Sequence, residues 1–97
     1  MEDLIQVLEE AKSWLSKPEN TFGYSSVWED SSMACEDIDQ FIQDLKDRVE
    51  FKVIDLQILF APTGPIQEIS IYSGWGKEFL LLADRFDKAL LLYRTRS

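Results

Sequence analysis

No histidine occurs among the 97 residues, and Cys35 is the sole cysteine. The first absence removes the commonest general base and the commonest transition-metal ligand, so neither a Ser-His-Asp nor a Cys-His set can be built within this chain. The second rules out an internal disulfide and suits a reducing, cytoplasmic compartment. No apolar run approaches the roughly 18 residues of a membrane span. There is no basic excess either: the formal net charge is −8. That balance excludes phosphate backbones, whose binding depends on counterion release by a basic surface, and it disfavours anionic membranes. Glu2 and Asp3 stand where a secretory signal would carry base, so no signal peptide is expected. Internal repeats, low-complexity tracts and domain linkers are also missing, which leaves one domain around one core.

What the chain does contain is apolar and acidic. Hydrophobic residues make up 45% of it, ample for a packed core. Charge is unevenly spread. Between Glu29 and Glu50 eight acids face only Lys46 and Arg48, whereas from Lys77 onward five bases outweigh three acids.

Periodicity predicts a first helix from Glu2 to about Ser16, with Leu4, Leu8, Ala11 and Leu15 on one stripe, Ile5 widening it, and Pro18 ending it. From Glu19 to Asp30 the pattern is loop-like, yet Phe22, Tyr24 and Trp28 recur in period two and leave room for an extra strand near 22–28. A second helix, about Ser32 to Arg48, gathers Ala34, Ile38, Phe41, Ile42, Leu45 and Val49 within about 100° of arc. Glu36, Asp39, Gln40, Gln43, Asp47 and Glu50 fall on its opposite side. Asp30, Ser31 and Ser32 are candidate N-caps.

The alternation of Ile54, Leu56, Ile58 and Phe60 predicts a strand over 51–60, and that of Gln67, Ile69 and Ile71 a second over 66–72. Pro62-Thr63-Gly64-Pro65 between them reads as the turn of a hairpin. Ser73-Gly74-Trp75-Gly76 then turns the chain into a last helix from Lys77 to about Arg94. Phe79, Leu82, Ala83, Phe86, Leu90 and Tyr93 form its stripe. Leu80, Leu81, Leu91 and Leu92 widen that stripe beyond half the circumference, so this helix is expected at the centre of the core or shared with another chain.

Candidate chemistry is thin. Gly74-x-Gly76-Lys77 fails as a phosphate loop, because Glu78 follows the lysine and Ile71 stands where the first glycine belongs. No Asp-x-Asp-x-Asp-Gly calcium loop exists, and Asp37 and Asp44 sit about two turns apart, roughly 10 Å. Neither a metal nor a cofactor is expected. Cys35 lies beside Glu36 and Asp37, which oppose a thiolate. Trp75, between two glycines, can serve as core or as an exposed interface anchor.

Leu-Phe-Ala-Pro-Thr-Gly-Pro-Ile-Gln-Glu-Ile-Ser at 59–70 and Ser-Gly-Trp-Gly-Lys-Glu-Phe at 73–79 carry a resemblance. With them the chain resembles a group of small bacterial proteins of uncharacterised function. The likeness covers the hairpin segment and the last helix well, and the first fifty residues loosely. It implies a bacterial cytoplasmic protein and brings no catalytic residues with it.

These readings predict an α+β domain in the order α-α-β-β-α, with three helices packed on one face of a small antiparallel sheet. The expected function is non-enzymatic protein binding, of an immunity-like or otherwise inhibitory kind. Glu36, Asp39, Asp47 and Glu50 would steer a basic partner, and Tyr72 and Trp75 would supply contact surface. The alternative is a structural homodimer joined through a sheet edge or the last helix. A third reading, a small-ligand protein or enzyme, rests on Asp55, Glu68 and Tyr72 sharing a polar sheet face.

Overall fold

In the computed structural model, which describes residues 2–23, 27–62 and 64–96, the chain forms five helices and, among those residues, no strand. They are α1 (Glu2–Leu15), α2 (Ser31–Asp47), α3 (Val53–Phe60), α4 (Pro65–Ser73) and α5 (Gly76–Arg96). The expected α+β architecture is therefore replaced by an all-helical one.

The helices foreseen from periodicity are in place. α1 buries Leu4, Val7, Leu8, Ala11 and Leu15, spaced three and four apart along one stripe. It opens on Glu2 and Asp3 and carries Lys12 in its last turn, complementing the helix dipole at both ends. α2 starts where the Asp30 side chain accepts a hydrogen bond from Met33 N–H at 3.0 Å, and it buries Ala34, Ile38, Ile42 and Leu45. It ends at Asp47, two residues short of Val49, the last residue of the expected stripe. Arg48 takes a left-handed conformation (φ 56°), and Val49 N–H returns to Asp44 O at 2.9 Å. This six-to-one closure turns Val49 out to solvent, away from the core face predicted for it.

The hairpin predicted over 51–60 and 66–72 is instead the helix pair α3–α4. In α3 the buried residues are Leu56, Leu59 and Phe60, a helical spacing. Ile54 and Ile58, which a strand would have turned inward with Leu56, are at least half exposed. α4 likewise buries Ile66, Ile69 and Ser70, while Ile71 and Tyr72 face out. Segments of eight and nine residues are too short for their apolar positions to separate a period of 2 from one of 3.6, so alternation alone could not decide between them. The breakers do decide. Pro65 occupies the first helical position, where a missing N–H costs nothing. Gly74 closes the helix in the left-handed region (φ 89°), with Trp75 N–H on Ser70 O at 2.8 Å. Gly64 is needed for space: a Cβ there would lie 2.4 Å from Ile58 O and 2.9 Å from Ala61 O. The α3–α4 turn is thus a close backbone crossing that only glycine permits.

The suggested extra strand near 22–28 is not formed by Phe22, Gly23, Val27 or Trp28; Tyr24 and its two successors lie outside the described residues. Trp28 is nonetheless buried beneath α2, its Nε1 donating to Asp37 Oδ2 at 2.8 Å.

α1 and α5 pack against each other at the centre, with α2 against the free side of α1. α4 lies on α5, and α3 lies on α4. Phe79, Leu82, Phe86, Ala89 and Leu90 carry α5 into the core, and Phe86 stacks on Phe60 with ring centroids 4.1 Å apart. The four other leucines of α5, expected to widen that face, are exposed.

Candidate functional site

Glu36, Gln40, Gln43 and Asp47 recur four, three and four residues apart, which places them on one stripe of α2, opposite the stripe that packs on α1. Two of the amides turn back onto carboxylates of their own helix: Gln40 donates to Asp44 and Gln43 to Asp47, both at 2.9 Å. Glu36, Asp47 and, just past the helix end, Glu50 remain exposed.

Asp39 stands apart from this stripe in a decisive way. Lys12 of α1 reaches across and donates to its carboxylate, with Glu9 at 3.7 Å on the other side. The hydrogen bond to Asp39 raises the Lys12 pKa, with the Glu9 charge assisting. Asp39 thereby ties α1 to α2, and its charge is largely compensated. Beside it Cys35 is half-buried, and desolvation pushes its thiol pKa up despite the nearby ammonium. A thiol held protonated in this way is a poor nucleophile.

Tyr72 and Trp75 do not join the acidic stripe. They belong to α4 and to the α4–α5 turn, which pack on α3 and α5. Tyr72 faces outward beside Gln67, Glu68 and Ile71 around an open, shallow recess. Asp55 sits on α3 and does not line that recess, so the Asp55, Glu68 and Tyr72 grouping of a polar sheet face disappears with the sheet.

Trp75 is only 4% exposed and packs as core. Its ring stacks on Trp14 of α1, centroids 5.2 Å apart and planes 19° from parallel. Lys17 places its ammonium 4.3 Å from the Trp14 ring centroid. Asn20 joins the pieces: its Oδ1 accepts from Trp75 Nε1 at 2.8 Å and its Nδ2 donates to Trp14 O at 2.7 Å. One residue further, Thr21 N–H donates to Ser73 Oγ at 2.8 Å. The loop after α1 is thereby bound to the α4–α5 turn. Sequence reasoning did not single out Asn20; a polar loop residue carries no local mark of a partner 55 positions away.

A second tie, also unforeseen, joins Glu10 of α1 to Arg85 of α5. Its hydrogen bond lowers the Glu10 pKa, against a smaller opposing effect of burial, and raises that of Arg85.

Among the described residues no three His, Cys, Asp or Glu side chains are grouped as metal ligands, and no helix is long and apolar enough to cross a membrane. No family model, curated protein or solved structure matches the chain.

Proposed function

We propose that this chain is a non-enzymatic protein-binding module whose acidic α2 surface receives a basic partner. One observation carries the reading: α2 packs chiefly on α1, so the stripe bearing Glu36 and Asp47, continued by Glu50, is left facing outward. With Asp39 engaged by Lys12, the charges left along that stripe are Glu36 and Asp47, continued by Glu50. Exposed charge of one sign speeds encounter with an oppositely charged surface and contributes more to rate than to final affinity. The partner best matched is a basic protein, which the module would hold or inhibit. A bacterial cytoplasmic setting belongs to the same proposal, and the single half-buried Cys35 is in keeping with it.

The test is capture from source-cell lysate at low and at raised salt, with wild type beside a Glu36→Gln/Asp47→Gln/Glu50→Gln variant. Asp39 is left untouched because its removal would also disturb the α1–α2 junction. The reading expects a basic protein retained by wild type, released by salt and lost with the variant. Equal retention by both proteins would contradict it.

A further inference from the structure

α5 leaves uncovered a face that is not simply polar. Leu80, Leu81, Leu91 and Leu92 are between 46% and 69% exposed. A helix turns 100° per residue, so the eleven residues from Leu80 to Leu91, and from Leu81 to Leu92, amount to three turns plus about 20°. The two leucine pairs therefore share one face and lie about 16 Å apart along it. Between them, on the same face, Asp84 and Lys88 pair at 3.0 Å, with both side chains well exposed.

The two spacings have a common centre. The midpoint of the leucine pairs and the midpoint of Asp84 and Lys88 both fall at the level of Phe86. A twofold axis at that level lays an antiparallel copy of α5 on this face. Leu80 and Leu81 of one copy then meet Leu91 and Leu92 of the other, and Asp84 meets Lys88 twice. A parallel copy would instead set Asp84 against Asp84 and Lys88 against Lys88. The charge pattern thus selects both the partner and its direction.

The flanks suit the same occupant. On one side, Phe60, Pro62, Leu80 and Ala83 line a groove between α5 and the α3–α4 turn. On the other, Val7, Ala89 and Leu92 line a recess between α1 and α5 together with Asp3, Gln6, Arg85 and Lys88. Both offer apolar walls to leucines arriving from a second helix.

We propose that α5 is the contact surface of an antiparallel, isologous homodimer, with two leucine clusters at its ends and a four-charge group of Asp84 and Lys88 at its centre. This surface is separate from the acidic stripe of α2, so each can be present without the other.

Sedimentation velocity from low to high micromolar protein tests the proposal, with circular dichroism confirming that each variant is helical. These are exposed positions, and their replacement leaves the core intact. Wild type should pass from the 11.3 kDa monomer to twice that mass as concentration rises. Leu81→Glu/Leu91→Glu should stay monomeric. Asp84→Lys and Lys88→Asp, each alone, place like charges together and should weaken association by about tenfold or more. An equimolar mixture of those two variants should restore a dimer, and the double exchange Asp84→Lys/Lys88→Asp should dimerise like wild type. A wild type that stays monomeric throughout, a dimer indifferent to Asp84→Lys, or a mixture that fails to recover would overturn the proposal.

Discussion

α1 and α2 on one side, and α3 and α4 on the other, contribute to the same core, yet they are helical for different reasons. α1 and α2 run 14 and 17 residues, with strong apolar stripes and, in α2, a side-chain N-cap. α3 and α4 have 8 and 9 residues and no side-chain cap at their N-termini. Isolated helices below about 12–15 residues are marginal in water, because nucleation consumes most of what a few hydrogen bonds return. The short pair must therefore draw its stability from docking on α5 and from a backbone crossing at Gly64. Apolar spacing and length can specify the first pair; the second is marked locally only by its breakers, Pro65 and Gly74, and takes its stability from the assembled molecule.

The sharpest way to break that contrast is Trp75→Ala. It removes the ring stacked on Trp14 and the donor held by Asn20. A loss of about 3–5 kcal/mol in denaturant unfolding is expected. Hydrogen exchange should accelerate over 65–74 more than over α2.

Next comes Gly64→Ala. The new Cβ would meet two backbone carbonyls that cannot swing aside, so about 3 kcal/mol should be lost, with unfolding curves as the check. The same replacement at Gly23, where a Cβ would meet nothing within 4 Å, should change stability little.

Two matched helix ends sharpen the comparison further. α2 and α4 close with the same left-handed turn, but α2 places Arg48 there and α4 places Gly74. Gly74→Ala should therefore destabilise by about 1 kcal/mol, whereas Arg48→Gly should stabilise by a similar or smaller amount. Thermal melts of the two variants should shift in opposite directions.

The smallest expected effect belongs to the Glu10–Arg85 tie. A carboxylate whose folded pKa is lowered contributes stability that is complete above the ordinary glutamate range and disappears as pH falls through the depressed folded value. Both partners are more than a third exposed, so solvent screening leaves only a few tenths of a kcal/mol. The wild-type minus Glu10→Gln stability difference should shrink on acidification and on addition of salt.

Much of this was legible in the residues. The stripes of α1, α2 and α5 and the Asp30 cap follow from spacing and cap chemistry. Over 51–74 the alternation of Ile54, Leu56, Ile58 and Phe60 pointed to a strand, because segments of eight and nine residues are too short for apolar spacing to separate a period of 2 from one of 3.6. The information that decides the matter lay in Pro65 and Gly74, one opening and one closing a helix, rather than in the hydrophobic pattern. For the candidate site, Glu50 is exposed just beyond the helix end, and Glu36 and Asp47 face water as the helix period requires. Trp75 does not, because its fate depends on Trp14 and Asn20, distant in sequence. The pairing of Asp39 with Lys12 was equally out of reach, since it depends on how α1 and α2 are set side by side.

The central claim is that 53–60 and 65–73 are helices held by docking, not strands of a hairpin. Backbone NMR assignment of the folded protein tests it most directly through the 13Cα secondary shifts of those two segments. Continuous positive shifts across both, broken at Gly64, are the predicted result. Negative shifts alternating into cross-strand contacts between the segments would contradict the account.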